Sequence, residues 1–125
     1  MPNLLDLFSG IGGISLGLST WFTTVGFCES DPFCQAVLQK HYPSVPVYPD
    51  VTTLQKEDVA EPIHCISAGF PCQDISGAGL EAGLDGKRSG LVREVFRLSA
   101  ELQPEFVFLE NVAAITHNGL LQIQA

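Results

Sequence analysis

Apolar residues along this chain come in short runs that stop abruptly at glycine, an acid or proline, and these runs alternate with segments of helical period. Asn3 to Phe8 reads NLLDLF, an apolar run with Asp6 inside it. Ser9 to Gly13 then gives SGIGG, and Ile14, Leu18 and Phe22 recur at helical spacing beyond it. The pattern predicts strand, glycine turn, helix. Val25 to Cys28 predicts a second strand with Glu29 just past its end. Asp31 or Ser30 is placed to cap a helix carrying Phe33, Val37 and Leu38, which stops before Pro43. A short extended piece at Val45 to Tyr48 leads to Asp50, and Gln55 to Glu61 is polar, a short helix or a loop. Ile63 to Ala68 is the fourth expected strand, and Gln73 to Gly90 is a long glycine-rich excursion of the kind that carries function in a compact domain. Leu91, Val95, Leu98 and Leu102 mark one face of a helix, with Glu94 and Glu101 off that face and Pro104 at its end. Phe106 to Leu109 is a compact fifth strand followed directly by Glu110 and Asn111, and Val112 to Gly119 starts another turn or helix. Strands alternating with helices predict an α/β fold with a mostly parallel sheet.

Length and charge narrow this picture. At 125 residues the chain is one domain at most, short for a complete doubly wound enzyme. Its formal net charge of -8, from 14 acidic and 6 basic residues, argues against a nucleic-acid surface carried wholly by this chain, since phosphate contacts want clustered Lys and Arg. Lys87, Arg88, Arg93 and Arg97 nonetheless fall within eleven positions. Cys28, Cys34, Cys65 and Cys72 form no CxxC pair, so neither a zinc knuckle nor a thioredoxin-like centre is indicated, and no metal is expected. No basic, apolar leader opens the chain and no apolar run approaches the roughly 20 residues that span a bilayer, so a cytoplasmic setting without a membrane is expected.

Candidate chemistry collects at the ends of the predicted strands. Gly10 and Glu29 lie 19 residues apart. In a mononucleotide-binding βαβ unit an acid at about that distance reaches ribose hydroxyls, while glycines let backbone approach the ligand. The glycines read GxGG rather than GxGxxG, which leans toward a nucleoside with a short charged tail over a dinucleotide; a plain tight turn is the alternative reading of the glycines, and the acid at the end of the second strand favours the ligand. Asp50 either accepts a hydrogen bond from a ligand amine or caps the turn that starts at Thr52. The stretch Ile63 to Ser76, IHCISAGFPCQDIS, puts Cys72 shortly after the fourth strand, and Glu110 follows the fifth. Parallel neighbours would bring these two to one edge, a thiol for a soft electrophilic carbon and an acid to protonate or hold a heteroaromatic ring. Each also has a plain reading: an inert thiol, a helix cap, and for Asn111 a turn residue.

DLFSGIGGISLGL, FCESD, PDVT, GFPCQDIS and FLENV, in this order and spacing, resemble the amino-terminal motifs of the DNA cytosine-5 methyltransferases across essentially the whole chain. PCQ and ENV at this separation are its most specific parts. The resemblance implies a Rossmann-like fold that binds S-adenosyl-L-methionine, incomplete at its first five strands, with residues 1–125 forming the amino-terminal part of the cofactor-binding and catalytic domain. Phe8, Ser9, Gly10, Ile11, Gly12 and Gly13 would cradle the cofactor, Glu29 would bind its ribose, Asp50 with Val51 its adenine, and Leu91 would lie on the cofactor side of the pocket. Cys72 would be the nucleophile and Glu110 would contact ring nitrogen 3 and the exocyclic amine of cytosine. Pro71 and Gln73 would shape and open the active-site loop, Ser76 and Arg88 would belong to the part closing over DNA, Asn111 would orient the loop, and Phe70 would pack beside the pocket.

The resemblance also implies a reaction. The target base is flipped from the duplex, Cys72 adds to carbon 6 with Glu110 supporting the proton at nitrogen 3, and carbon 5 takes the sulfonium methyl before losing its proton and expelling the thiol. Family members normally continue into a target-recognition region and a closing helix, which this sequence does not contain. The expectation is therefore a fragment or subunit of a restriction-modification enzyme of bacterial or phage-like context, contacting double-stranded DNA mostly through other regions, with a complementary carboxyl-terminal subunit as one source of them. Alone it should be weakly active or inactive. A transfer-RNA cytosine-5 methyltransferase of the same architecture and a noncatalytic interaction module are the alternatives; a nicotinamide enzyme ranks last, because it leaves Cys72 and Glu110 without a joint role.

Overall fold

The structure, a computed structural model, describes residues 1–70 and 87–111. Its elements run β1 (Asn3–Leu7), α1 (Gly13–Gly17), β2 (Thr23–Cys28), α2 (Pro32–His41), β3 (Val47–Tyr48), a 3-10 turn (Lys56–Asp58), β4 (Cys65–Phe70), α3 (Lys87–Leu102) and β5 (Phe106–Asn111). The five strands form one sheet in the order β3-β2-β1-β4-β5, every neighbouring pair parallel. The chain thus builds outward from β1 to β3, then crosses back to lay β4 on the other side of β1. This reversal is the switch point at which open parallel sheets leave a crevice beyond their carboxyl ends. The mostly parallel α/β expectation is met.

Alternation along the strands divides the core into two layers. Leu5, Leu7, Ile66 and Ala68 point to the face covered by α3, where they join Val51, Leu54, Val95 and Leu98, all of them buried. Leu4, Asp6, Phe27 and Ser67 point to the other face, under α1 and α2, with Leu38 of α2 fully buried there. On α3 the expected apolar face is found, Val95 and Leu98 fully buried and Leu91 and Leu102 partly so. On α2, Asp31 caps the helix by accepting the Phe33 N–H at 2.8 Å and Pro32 occupies the first turn, while Phe33 itself is exposed.

Several boundaries differ from the sequence reading. β4 begins at Cys65 rather than Ile63, because the Asn3 N–H donates to His64 Nδ1 at 2.9 Å and ladder pairing with β1 starts only at Leu4 and Cys65. It runs on to Phe70, since Gly69 and Phe70 pair with Glu110 and Asn111; Glu110 therefore lies within β5 rather than after it. α1 is a five-residue helix and not a long one. Its one buried residue is Ser15, while Ile14, Leu18 and Phe22 are only partly covered. Cys72 and the whole Pro71–Gly86 stretch, with Val112 onward, lie outside the described residues.

Ser15 is buried because Asp6 is. Parallel central strands normally read as continuous apolar runs, yet Asp6 stands in the middle of β1 with no solvent exposure. Its Oδ2 accepts the Ser15 hydroxyl at 2.6 Å and its Oδ1 the Ser67 hydroxyl at 3.1 Å. Thr24 in turn donates to Ser15 Oγ at 2.9 Å. One carboxyl group thus ties β1 to α1, β2 and β4. Desolvation raises its pKa from 3.8 to about 6, against the lowering effect of the serine hydrogen bonds, with the charge of Glu29 adding a smaller upward push.

The consequence for stability has a definite sign. Below about pH 4 the carboxyl is protonated folded and unfolded alike; between about 4 and 6 only the folded chain keeps the proton, so its contribution is lost as pH rises through the folded pKa. The shift corresponds to about 3 kcal/mol. Asp6→Asn removes this titration. Urea unfolding at pH 4 and pH 7 should show wild type losing about 2 kcal/mol relative to the variant; a difference that stays flat across this range would mean that Asp6 titrates normally.

Candidate functional site

The carboxyl ends of the strands bring the candidate residues to one edge of the sheet. The loop after β1 turns tightly: Phe8 and Gly10 lie in the left-handed region at φ 54 and 57, and Gly12 at φ 94. Ser9 anchors it, its N–H donating to the Cys28 carbonyl at 3.2 Å and its hydroxyl to the Asp6 carbonyl at 2.6 Å. The loop is therefore stitched to the end of β2. Because α1 has only five residues, this loop offers its own backbone rather than the amino end of a long helix. Ile11 is exposed, and a side chain built at Gly10 would meet open space.

Glu29, just past β2, faces this loop. Its Oε1 accepts the Gly10 N–H at 2.7 Å and its Oε2 the Asp31 N–H at 2.8 Å, while its own N–H donates to the Tyr48 carbonyl at 2.9 Å. Two backbone donors thus fix the carboxylate, and each oxygen keeps a lone pair for a further hydroxyl. Asp50 stands beyond β3. Its Oδ1 accepts both the Thr52 hydroxyl at 2.6 Å and the Thr52 N–H at 2.9 Å, and these bonds hold its carboxyl below its ordinary pKa. The turn-cap reading of Asp50 is realised, and the bonds drawn to one oxygen leave it compatible with a ligand amine at the other. Val51 is buried in the core beneath it, and Leu91 packs partly buried against that same cluster.

These groups suit the nucleoside of S-adenosylmethionine by their chemistry: a glycine turn open to close approach, a fixed carboxylate for a vicinal diol, and a second carboxylate for an amine. On the other side of the switch point, Glu110 lines a largely apolar cleft of about 400 Å³ with Gly13, Ile14, Gly17, Leu18 and Phe108. It shares that sheet face with Asp6, because Asp6 registers with Ser67, Ser67 with Phe108, and Glu110 lies two residues on. The cofactor-loop side and the Glu110 side are therefore joined through α1. Pro71, Cys72, Gln73 and Ser76 lie outside the described residues, as do the side chains of Phe70, Arg88 and Asn111. The three described cysteines, Cys28, Cys34 and Cys65, are free thiols whose pKa values are all raised, chiefly by burial, that of Cys28 up to about 12. None of them is a ready nucleophile at neutral pH.

Two supports of the site escape the sequence reading. The Asp6–Ser15–Ser67 tie has a faint signal, a carboxylate inside an otherwise apolar strand, but its partners lie 9 and 61 positions away. Arg97, counted above only as part of a basic cluster, instead spends its guanidinium on the protein, donating to Glu94, Glu101 and the carbonyls of Val51 and Leu54. Among the described residues no group of His, Cys, Asp and Glu is arranged to hold a metal, and no helix is long and apolar enough to cross a membrane.

Comparison with known proteins bears on this edge. The profile of the family described as C-5 cytosine-specific DNA methylase matches residues 3–122. The chain is 43% identical over 114 residues to the type II methyltransferase M2.BsuMI of Bacillus subtilis, covering 87% of this chain and 28% of that protein. It is 41% identical over 119 residues to the type II methyltransferase M.CviJI of Paramecium bursaria Chlorella virus IL3A, covering 95% and 32%. The chain thus spans about a third or less of the length of these two relatives. Among solved structures, a protein described as a DNA modification methyltransferase encoded within an E. coli prophage superposes with a TM-score of 0.74 at 31% identity, over 99% of this chain and 36% of that one. The Dnmt2 methyltransferase of S. pombe superposes with a TM-score of 0.68 at 19% identity over 98% of this chain and 41% of that one, a likeness of fold alone.

The glycine loop gives a test of this geometry. Gly10→Ala meets no atom within 4 Å and keeps a φ that L residues can adopt, at a cost of about 1 kcal/mol. Gly12→Ala must hold φ 94, well away from the left-handed minimum near about +57° that Gly10 occupies, and places its Cβ 3.2 Å from Leu38 Cδ2. Urea unfolding should show Gly12→Ala losing roughly 1–2 kcal/mol more than Gly10→Ala; equal losses would contradict the described loop.

Proposed function

Because the chain belongs to the C-5 cytosine-specific DNA methylases, we propose that it forms the cofactor-binding and catalytic amino-terminal part of a DNA cytosine-5 methyltransferase. The observation that carries this reading is the convergence of the glycine loop, Glu29, Asp50 and Glu110 on the carboxyl edge of one parallel sheet. Phe8 to Gly13 hold the cofactor against the backbone of the loop, Glu29 accepts from its ribose hydroxyls, Asp50 with Val51 meets its adenine, and Leu91 backs the pocket. Bound there, S-adenosylmethionine supplies an electrophilic methyl group.

The protein's own residues prepare the acceptor. A base must leave the stack before its carbon 6 can be attacked. Cys72, two positions past β4, adds through its sulfur to carbon 6 of cytosine, while Glu110 holds the exocyclic amine and supports a proton at nitrogen 3. The electron pair released toward carbon 5 makes that carbon a nucleophile, which it is not in the free base. Loss of the carbon-5 proton after methylation restores the ring double bond and expels the Cys72 thiolate. Pro71, Gln73, Ser76, Arg88 and Asn111 shape or close the segment that carries this chemistry. A reducing, cytoplasmic setting keeps Cys72 a thiol.

The remainder of the active enzyme is other polypeptide, whether a continuation of the chain or a complementary carboxyl-terminal subunit. The chain's short span of its relatives supports this. So does β5, at the edge of the described sheet, where Phe106, Val107, Phe108 and Leu109 are all 43–58% exposed on both faces, although parallel strands are normally covered on both. Double-stranded DNA is then contacted mostly by that remainder.

Trapping on a duplex containing 5-fluorocytosine tests the assignment. With S-adenosylmethionine and a complementing carboxyl-terminal half, wild type should give a covalent adduct that survives denaturation, and Cys72→Ser should give none. Glu110→Gln should slow methyl transfer by about 10²–10⁴-fold. An adduct that persists in Cys72→Ser would overturn the nucleophile, and robust turnover by the isolated chain would overturn the division into two parts.

A further inference from the structure

α3 grips the turn beyond β3 by its backbone. Midway along the helix, Arg97 Nη2 donates to the Val51 carbonyl at 3.0 Å and to the Leu54 carbonyl at 2.8 Å. Its other nitrogens are held on the helix itself, Nε by Glu94 at 2.6 Å and Nη1 by Glu101 at 3.0 Å. The second oxygen of Glu101 accepts the Lys56 N–H at 3.2 Å. Segment 51–56 is thus fastened to α3 at three backbone groups, and Asp50 stands at the head of that segment. The Asp50 carbonyl accepts the Thr53 and Leu54 N–H groups at 3.3 and 3.2 Å, so the turn that Arg97 holds is the one that orients Asp50.

The value of this arrangement is geometric. The Arg97 side chain is 31% exposed and its acidic partners are similarly wetted, so the ion pairs contribute little by Coulomb attraction. Apolar burial of Val51 and Leu54 beside Val95 and Leu98 already holds the turn against the helix. Burial is non-directional, however, and does not set how the turn is rotated. A planar guanidinium with its donors in a fixed fork does set it, and a lysine ammonium cannot reproduce that fork.

We propose that Arg97 is a positioning residue for the adenine end of the cofactor site, holding the turn at residues 50–54 so that the Asp50 carboxylate stays aimed at the exocyclic amine. The proposal rests on the assignment of Asp50 to adenine made above. It separates the two halves of nucleoside recognition: Glu29 is fixed by the Gly10 and Asp31 N–H groups, neither of which touches Arg97. Loss of Arg97 therefore weakens recognition of the amine and leaves the ribose contact in place.

Calorimetric titration of the full chain with S-adenosylhomocysteine and with S-inosylhomocysteine, which lacks the amine, distinguishes these effects. Arg97→Gln should weaken the adenosyl ligand about tenfold, the scale of one charge-assisted hydrogen bond, and the inosyl ligand by less than about threefold. Arg97→Lys should fall between Gln and wild type, and it keeps the comparison available should the glutamine variant unfold. Equal loss for both ligands would mean that Arg97 only stabilises the fold, and unchanged affinities would mean that the turn holds without it; either result overturns the proposal. Asp50→Ala is the control. If wild type prefers the adenosyl ligand and Asp50→Ala keeps that preference, the assignment of Asp50 itself fails, whereas a preference lost in Asp50→Ala and kept in both Arg97 variants overturns Arg97 alone.

Discussion

A carboxyl group buried where the strand order turns back on itself sets the frame for everything at the edge of this sheet. Asp6 is anchored by Ser15 of α1 and Ser67 of β4, the two elements that flank the crevice beyond β1. Burying such a group is costly unless its hydrogen bonds are made, and here the bonds also specify register. Sliding β4 by one residue against β1 would carry Ser67 to the opposite face and bring an apolar neighbour over the carboxyl. Apolar packing alone would resist that slip less, because Ile66 and Ala68 on one face alternate with small residues on the other. The polar tie therefore secures an alignment on which the positions of the β1 loop and of the residues following β4 both depend.

From this centre the two faces of the sheet divide the work. The α3 face carries the apolar mass, from Leu5, Leu7, Ile66 and Ala68 to Val95 and Leu98, and ends in the turn that presents Asp50. The α1 face is thinner and more polar, with Asp6, Ser15 and Ser67 below and the Glu110 cleft beside it. The groups proposed for the nucleoside and the one proposed for the base thus meet at the carboxyl edge of the sheet. Parallel topology makes this possible, since every strand delivers its last residue to the same side.

The sequence made the order of strands and helices legible because each of the first three apolar runs is followed within a few residues by glycine, proline or an acid, as at Gly10, Glu29 and Asp50. It also placed Glu29 opposite the glycine loop, since one βαβ unit is short enough for its spacing to mean proximity. What it concealed were contacts across long separations. Arg97 looked like part of a basic cluster, yet its partners include carbonyls 43 and 46 positions away, and a backbone carbonyl leaves no mark in a sequence. Ser15 leaves no signal, because a helical pattern marks apolar residues at buried positions and α1 buries a hydroxyl in their place. The short length of α1 was hidden for a related reason: Ile14, Leu18 and Phe22 keep helical spacing through residues that in fact form a turn.

Charge completes the division between this chain and whatever accompanies it. With a net charge of -8, the surface repels phosphates at contact distance, and screening at physiological salt shortens that repulsion to roughly 8 Å without reversing it. The basic residues near α3 do not counter this simply by number, because Arg97 is already engaged with Glu94 and Glu101. Acidity is less of a burden for the proposed cofactor, whose sulfonium is positive and whose hydroxyls and amine want acceptors. In the proposed assembly the acidic groups would suit a cationic ligand rich in donors, and a basic segment elsewhere would carry the duplex. Strand β5 meanwhile exposes Phe106, Val107, Phe108 and Leu109, an apolar surface whose contacts would not depend on charge.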